Sequence, residues 1–208
     1  MNIKNWMLQT LTNPTILEAG VADGEDTLFF SEFFPGGRVF GFEPVESLFC
    51  QAIEKTKGRT NVFLEKAALS YIDSEQMIYV SDRLNEPWGS SSLLEPKDHL
   101  WFHEQITFKS IEEVKTIALD NWISENNIDK IDLAWLDMQG YEPILLQNSP
   151  IALSKINYLY TEVSLIDTYE GVMKYPEYKD WLLSKGFTII FEDLPYQDMG
   201  NVLFKQNI

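Results

Sequence analysis

Short runs of β-branched and aromatic residues alternate along this chain with helical patterns. That alternation limits the fold more than any other feature. Thr15-Ile16-Leu17 reads as a buried strand, and Thr27 to Phe34 as a helix stopped by Pro35-Gly36-Gly37. Arg38 to Phe42 reads as a second strand. Pro44 then opens a helix whose Val45, Leu48, Phe49, Ala52 and Ile53 share one face, with Gly58 at its end. Asn61 to Leu64 is a third strand, and Ile131 to Leu136 a strongly apolar one. Tyr158 to Val163 follows, after a short helix opened by Pro143. A helix between Pro176 and Gly186 precedes two final strands, Phe187 to Phe191 and Asn201 to Phe204. The loop between those two is short enough for an antiparallel hairpin.

Strand–helix alternation predicts a parallel sheet with helices on both faces. The predicted class is therefore α/β: a mostly parallel seven-stranded, Rossmann-like sheet closed by the C-terminal hairpin. The middle of the chain is less regular. Gln76 to Val80 reads as a strand, and Asp120 as the cap of a helix running to Asn126. Residues 83–110 carry few signals and are expected to form a substrate-side insertion, with residues 165–177 as a second variable loop. Residues 1–14 read as an extension on a single domain covering 1–208.

The length suits one core, since single cores work up to roughly 250 residues. No apolar run of about 18 residues suggests a membrane span, and Met1 to Thr15 lacks the pattern of a secretory signal. Cys50 is the only cysteine. It has no partner within the chain, and its place in a helical pattern predicts a buried core thiol. A soluble cytoplasmic protein is expected. The net charge of −16 disfavours nucleic-acid backbones and anionic lipid. A homodimer stays open.

In open parallel sheets ligands bind beyond the carboxyl ends of the strands. The first strand ends in Glu18-Ala19-Gly20-Val21-Ala22-Asp23-Gly24. Its glycines permit a sharp turn, and the following helix presents N–H groups to an anion. An ordinary strand-to-helix turn is the competing reading. Glu43, at the tip of the second strand, lies 19 positions after Gly24, the spacing of a ribose-binding carboxylate. This pair indicates an adenosine cofactor, but does not separate S-adenosylmethionine from NAD. Asp137 ends the apolar strand at the same edge, as an orienting group or general base for a hydroxyl. Glu162, in the next strand, is a weaker candidate. His99 and His103 stand four apart. Packing roles suit them best, with one of them a possible substrate-side base; no metal ligands are assigned. Trp88, Trp101 and Phe102 suit either a sugar-stacking lid or a loop anchor.

Six motifs in order resemble the FkbM family of methyltransferases. They are Glu18 to Gly24, Phe42-Glu43-Pro44, Ala68-Leu69-Ser70, Gly89 to Leu93, Leu119-Asp120 and Asp137 to Glu142. The resemblance implies a Rossmann-like methyltransferase with S-adenosylmethionine as donor, and O-methylation of a hydroxyl on a sugar or small metabolite. It implies that Gly20, Ala22, Asp23 and Gly24 line the methionine end, with Glu18 and Pro44 counted among the cofactor-binding residues. It places Glu43 at the ribose, Ala67 and Ala68 near the adenine, and Ser91 and Asp137 towards the reacting methyl. Asp137 and His103 are the catalytic candidates. Ala22, Trp135 and Gln139 depart from a frequent asparagine, lysine and glutamate. A catalytically degenerate binding module is the rival reading, and an NAD-dependent oxidoreductase a distant third, opposed by the Gly-x-x-x-Gly spacing.

Overall fold

Period-two burial builds the sheet. In the computed structural model, which describes residues 2–207, β1 (Thr15–Ala19) turns Ile16 to one face and Leu17 to the other, both buried. β2 (Arg38–Phe42) and β3 (Val62–Glu65) pair parallel on one side of β1. β8 (Ile131–Leu136) and β9 (Ile156–Ser164) pair parallel on the other. The antiparallel β10 (Phe187–Asp193) and β11 (Met199–Gln206) complete the order β10-β11-β9-β8-β1-β2-β3. The expected seven-stranded sheet and terminal hairpin are present.

Helices cover both faces. On one, Met7 of α1 (Ile3–Thr10) and Phe30 of α2 (Glu25–Phe33) pack on Ile16, Val39, Leu133 and Leu203. On the other, α5 (Leu119–Glu125), α6 (Glu142–Gln147), α7 (Pro150–Lys155) and α8 (Tyr175–Ser184) bury Trp122, Leu145, Ala152 and Leu182 against Leu17, Ala134, Leu159 and Val202. Burying each Leu, Val, Ile, Met or Phe side chain among these contributes about 1.5–3 kcal/mol. Strand order reverses at β1, which sits between β2 and β8, so a cleft opens there beyond the strand ends.

The irregular middle is a second sheet of four strands, ordered β4-β7-β5-β6. β4 is Ala68–Ser70, β5 Ser74–Arg83, β6 Glu86–Pro87 and β7 Ile106–Ala118. The 13-residue β7 escapes sequence patterning because Glu112 and Glu113 interrupt its alternation and much of it is exposed. It pairs antiparallel with β5 from Ser74–Thr116 to Arg83–Ile106. Leu48 and Ala52 of α3 (Glu46–Lys55) are buried, and Leu48 packs with Ile78 and Val114 of this sheet. The short α4 (His99–Phe102) follows β6.

Two local expectations fail. Cys50 is exposed, near the Glu46 carboxylate at 3.5 Å, because only Leu48 and Ala52 of α3 turn inward while Ile53 also faces out. Asp120 does not cap its own helix, whose N-cap is Ala118. Its carboxylate instead accepts the N–H groups of Ile151 and Ala152 at 3.1 and 2.8 Å, capping α7. Among the described residues no helix is long and apolar enough to cross a membrane.

Candidate functional site

The glycine turn closes β1 against β8. Asp137 N–H donates to the Ala19 carbonyl at 3.0 Å, and the N–H groups of Gly20 and Val21 donate to that of Phe42. Gly20 has φ +84° and Gly24 +83°, a region closed to most side chains. Between them Ala22 also adopts positive φ, +50°, which for a residue with a Cβ is a strained conformation. Asparagine tolerates that conformation better, which gives its frequency at this motif position a physical reason.

Glu43 secures the turn. Its two carboxylate oxygens accept the N–H groups of Ala22 at 2.8 Å and Val45 at 2.9 Å. It is buried, and desolvation, partly offset by these two bonds, pushes its carboxyl up to about 7. Asp23 forms an ion pair with Lys55 at 2.6 Å. Glu18 faces α2 rather than the cleft. It accepts the Thr27 hydroxyl at 2.7 Å, and burial raises its carboxyl well above the usual range. Ala67 lies in the core, whereas Pro44, Ala68 and Ser91 line a narrow 40 Å³ slot with Gly20 and Asp137.

Three cavities meet at Asp137. Beside the slot, a 450 Å³ cavity runs along Ala22, Asp23, Gln51 and Gly89. On the other side of Trp88 and Ser90 lies a 310 Å³ cavity, lined also by His103, Gln105, Tyr196 and Asn201. Trp88 is partly exposed, with the Arg83 guanidinium 4.8 Å from its ring centre. Trp101 and Phe102 line neither of these cavities; both are exposed.

Behind Asp137 sits a buried carboxylate cluster. The Gln139 amide donates to Asp137 Oδ1 at 2.7 Å and to Glu162, while its Oε1 accepts from the Tyr169 hydroxyl at 2.9 Å. Glu142 accepts the Met138 N–H at 2.6 Å. Burial raises Glu142 to about 8 and Glu162 well above its ordinary value, the Asp137 charge adding to both. Donor oxygens of Asp137, Glu142 and Glu162 lie within 4.8 Å of one another. Amide hydrogens of Gln139 stand between two of them, so its neutral amide does the bridging that a glutamate there could not do without a proton. Trp135, by contrast, points into the core, tilted against Tyr160 with centroids 4.1 Å apart, and lines none of the three cavities.

His103 and His99 come together as their spacing suggested, rings 4.7 Å apart, although the helix ends at Phe102. His103 lines the 310 Å³ cavity and its Nε2 lies 2.7 Å from Asp198 Oδ2. His99 is buried, and desolvation lowers it to about 4. Asp198, Arg83, Gln105, Tyr196 and Asn201 escape sequence reasoning. They stand outside the six motifs, in or beside the loops that follow β5, α4 and β10.

The family model described as the methyltransferase FkbM domain matches residues 18–189. The 2-O-methyltransferase NoeI of Sinorhizobium fredii (strain NBRC 101917 / NGR234) is 32% identical over 162 residues, covering 76% of this chain and 67% of that protein. Fibrillarin of Aeropyrum pernix, solved with natively bound S-adenosyl-L-methionine, aligns with TM-score 0.53 at 15% identity. That match covers 93% of this chain and 66% of fibrillarin, so the chain spans just under two thirds of it. An rRNA methylase from Streptococcus thermophilus aligns with TM-score 0.53 at 13% identity, covering 99% of this chain and 95% of that one. At such identities the two structures show the shared fold.

Proposed function

Since this chain belongs to the FkbM methyltransferase family and is an S-adenosylmethionine-dependent methyltransferase, we propose that it methylates a hydroxyl oxygen on a sugar or other small metabolite. The observation that carries this reading is the position of Asp137, a wall of all three cavities, where a donor and an acceptor can meet. The relative named a 2-O-methyltransferase supports oxygen as the acceptor atom.

The residues present fit the cofactor. The missing side chain at Gly20 lets the end of β1 close on the Asp137 carbonyl, which sets Gly20 and Asp137 side by side in the slot. Each oxygen of Glu43 accepts one N–H and keeps lone-pair capacity for a ribose hydroxyl. Asp23 and Asp137, both lining the 450 Å³ cavity, place carboxylates where a sulfonium would lie. When bound, S-adenosylmethionine supplies an electrophilic methyl group. In this reading Gly20, Ala22, Asp23 and Gly24 hold the methionine end, Glu43 the ribose, Pro44 and Ala68 the adenine side, and Ser91 lies with Asp137 towards the reacting methyl. Glu18 and Ala67 act from beneath, bracing the turn and the slot. Asp137 and His103 receive the acceptor, one orienting its hydroxyl and one taking its proton. Trp88 and Tyr196 offer aromatic faces for a sugar ring. Residues 83–110 then serve as substrate-side structure on a single domain.

Tritiated methyl transfer from S-adenosylmethionine to an oligosaccharide pool, followed by hydrolysis and sugar analysis, tests the reading. An O-methyl sugar is expected; label found only on nitrogen, carbon or protein overturns it. Asp137→Asn should lower turnover about 100-fold while cofactor affinity stays within about twofold. Turnover at the wild-type value would remove Asp137 from the reaction.

A further inference from the structure

The 310 Å³ cavity contains an arrangement that the methyltransferase motifs do not include. His103, whose side chain is 23% exposed, forms part of its wall, and Nε2 lies 2.7 Å from Oδ2 of Asp198, whose side chain is only 3% exposed. Asp198 is not part of the wall; it stands behind the histidine. It directly precedes β11, and its carbonyl accepts the Leu165 N–H at 2.7 Å, which ties it to the end of β9. The carboxylate is therefore fixed by the main sheet, while the imidazole comes from the loop after α4.

We propose that Asp198 is a positioning residue that holds His103 with its proton on Nε2, leaving Nδ1 as the base that takes the acceptor hydroxyl's proton; this rests on the O-methyltransferase reading. An ionised carboxylate only accepts hydrogen bonds, so the nitrogen facing it must carry hydrogen. In neutral imidazole the other nitrogen is then the acceptor. The one side-chain hydrogen bond of the His103 ring among the described residues is the Nε2 contact to Asp198, and the ring borders the cavity, so Nδ1 is left for a substrate hydroxyl.

The step balances without a further reactant. The acceptor oxygen forms a bond to the methyl carbon as the carbon–sulfur bond breaks, its electron pair remaining on sulfur. The hydroxyl proton passes to Nδ1, giving an imidazolium that Asp198 stabilises, and later leaves to solvent. The surroundings favour this. His99, the ring packed on His103, is held neutral by burial and adds no opposing charge. Across the cavity stand Asp137, Glu162 and Asp193, with Arg83 drawn onto Trp88. Asp137 Oδ1 is already occupied by the Gln139 amide, so the division leaves Asp137 to orient the hydroxyl and His103 to deprotonate it.

The chain has only two histidines, so a long-range ¹H–¹⁵N spectrum of the ¹⁵N-histidine-labelled protein shows two imidazole spin systems, assigned with His103→Gln. At pH 8, without any ligand, His103 should be the Nε2–H tautomer. An Nδ1–H tautomer in the wild type overturns the proposal, and this readout needs neither a variant of Asp198 nor a known acceptor. In the glycan methylation assay Asp198→Asn should lower kcat by about 100-fold or more, leave the KM for S-adenosylmethionine within about twofold, and shift the tautomer population. Asp198→Glu should recover part of the rate. Wild-type kcat in a folded Asp198→Asn protein overturns the proposal. Should the wild type methylate no glycan, the sugar part of the O-methyltransferase reading fails while the spectrum still decides the His103–Asp198 arrangement.

Discussion

Gly20 and Asp137 are in backbone contact: a Cβ built on Gly20 would stand 1.8 Å from the Asp137 carbonyl oxygen. The ends of β1 and β8 therefore approach more closely than any side chain allows, and this contact forms the floor of the cleft. Gly20→Ala adds a steric clash to a φ of +84°. It should destabilise the protein by about 2 kcal/mol or more and abolish cofactor binding. Urea unfolding and calorimetry with S-adenosylhomocysteine measure both. A Gly20→Ala protein of unchanged midpoint would mean that the strands can separate at no cost.

Ala22 carries strain in the same turn. Replacement by asparagine keeps the N–H that Glu43 accepts and suits φ +50° better. The neighbouring cavity leaves room for the longer side chain, so Ala22→Asn should gain about 0.5–1 kcal/mol, read as a higher urea midpoint. A lower midpoint would show that the alanine conformation is unstrained.

Glu43→Gln removes a charge and, because one end of an amide is a donor, sets an N–H against the N–H of either Ala22 or Val45. Affinity for S-adenosylhomocysteine should fall at least tenfold, about 1.4 kcal/mol. Affinity equal to the wild type would show that neither the turn nor the ribose depends on the carboxylate.

Burial raises the carboxyls of Glu18, Glu43, Glu142 and Glu162 in the folded chain. A raised folded value means the native state binds protons more readily than the unfolded one. The stability each group contributes is complete below its unfolded value and is lost as pH climbs through the folded value, about 7 for Glu43 and about 8 for Glu142. Between pH 8.5 and pH 6 Glu43 alone should return about 1 kcal/mol, a gain of about 3 °C in Tm for a chain of this size. A melting series that falls from pH 8.5 to 6 contradicts this balance.

Periodicity and punctuation made most of the large sheet legible. Runs such as Ile131 to Leu136 are buried on both sides, and continuous apolarity is what such strands require. The Asp120 carboxylate shows the limit of local reading. Its neighbours in sequence suggested a cap on its own helix, but the N–H groups it meets belong to α7, some 30 residues on. The second sheet was hidden for a related reason. β7 pairs along its length with β5 but exposes one flank, so its polar residues break the alternation that reveals a strand.

At the candidate site the same division holds. Strand ends followed by glycine or an acidic residue are local facts, so Gly20, Gly24, Glu43 and Asp137 declared themselves as edge residues of a parallel sheet. Six ordered motifs then distinguished the methyltransferase family from other users of that edge. What the tertiary structure alone decided is which side chains meet there. It turned Glu18 towards Thr27, sent Trp135 into the core, made Gln139 a bridge between two carboxylates, and set Asp198 behind His103 across 95 positions of sequence. Hydrogen bonds and burial depend on distance in space. Local sequence encodes backbone shape, and only the packed sheet brings remote loops within the few ångströms at which these side chains act.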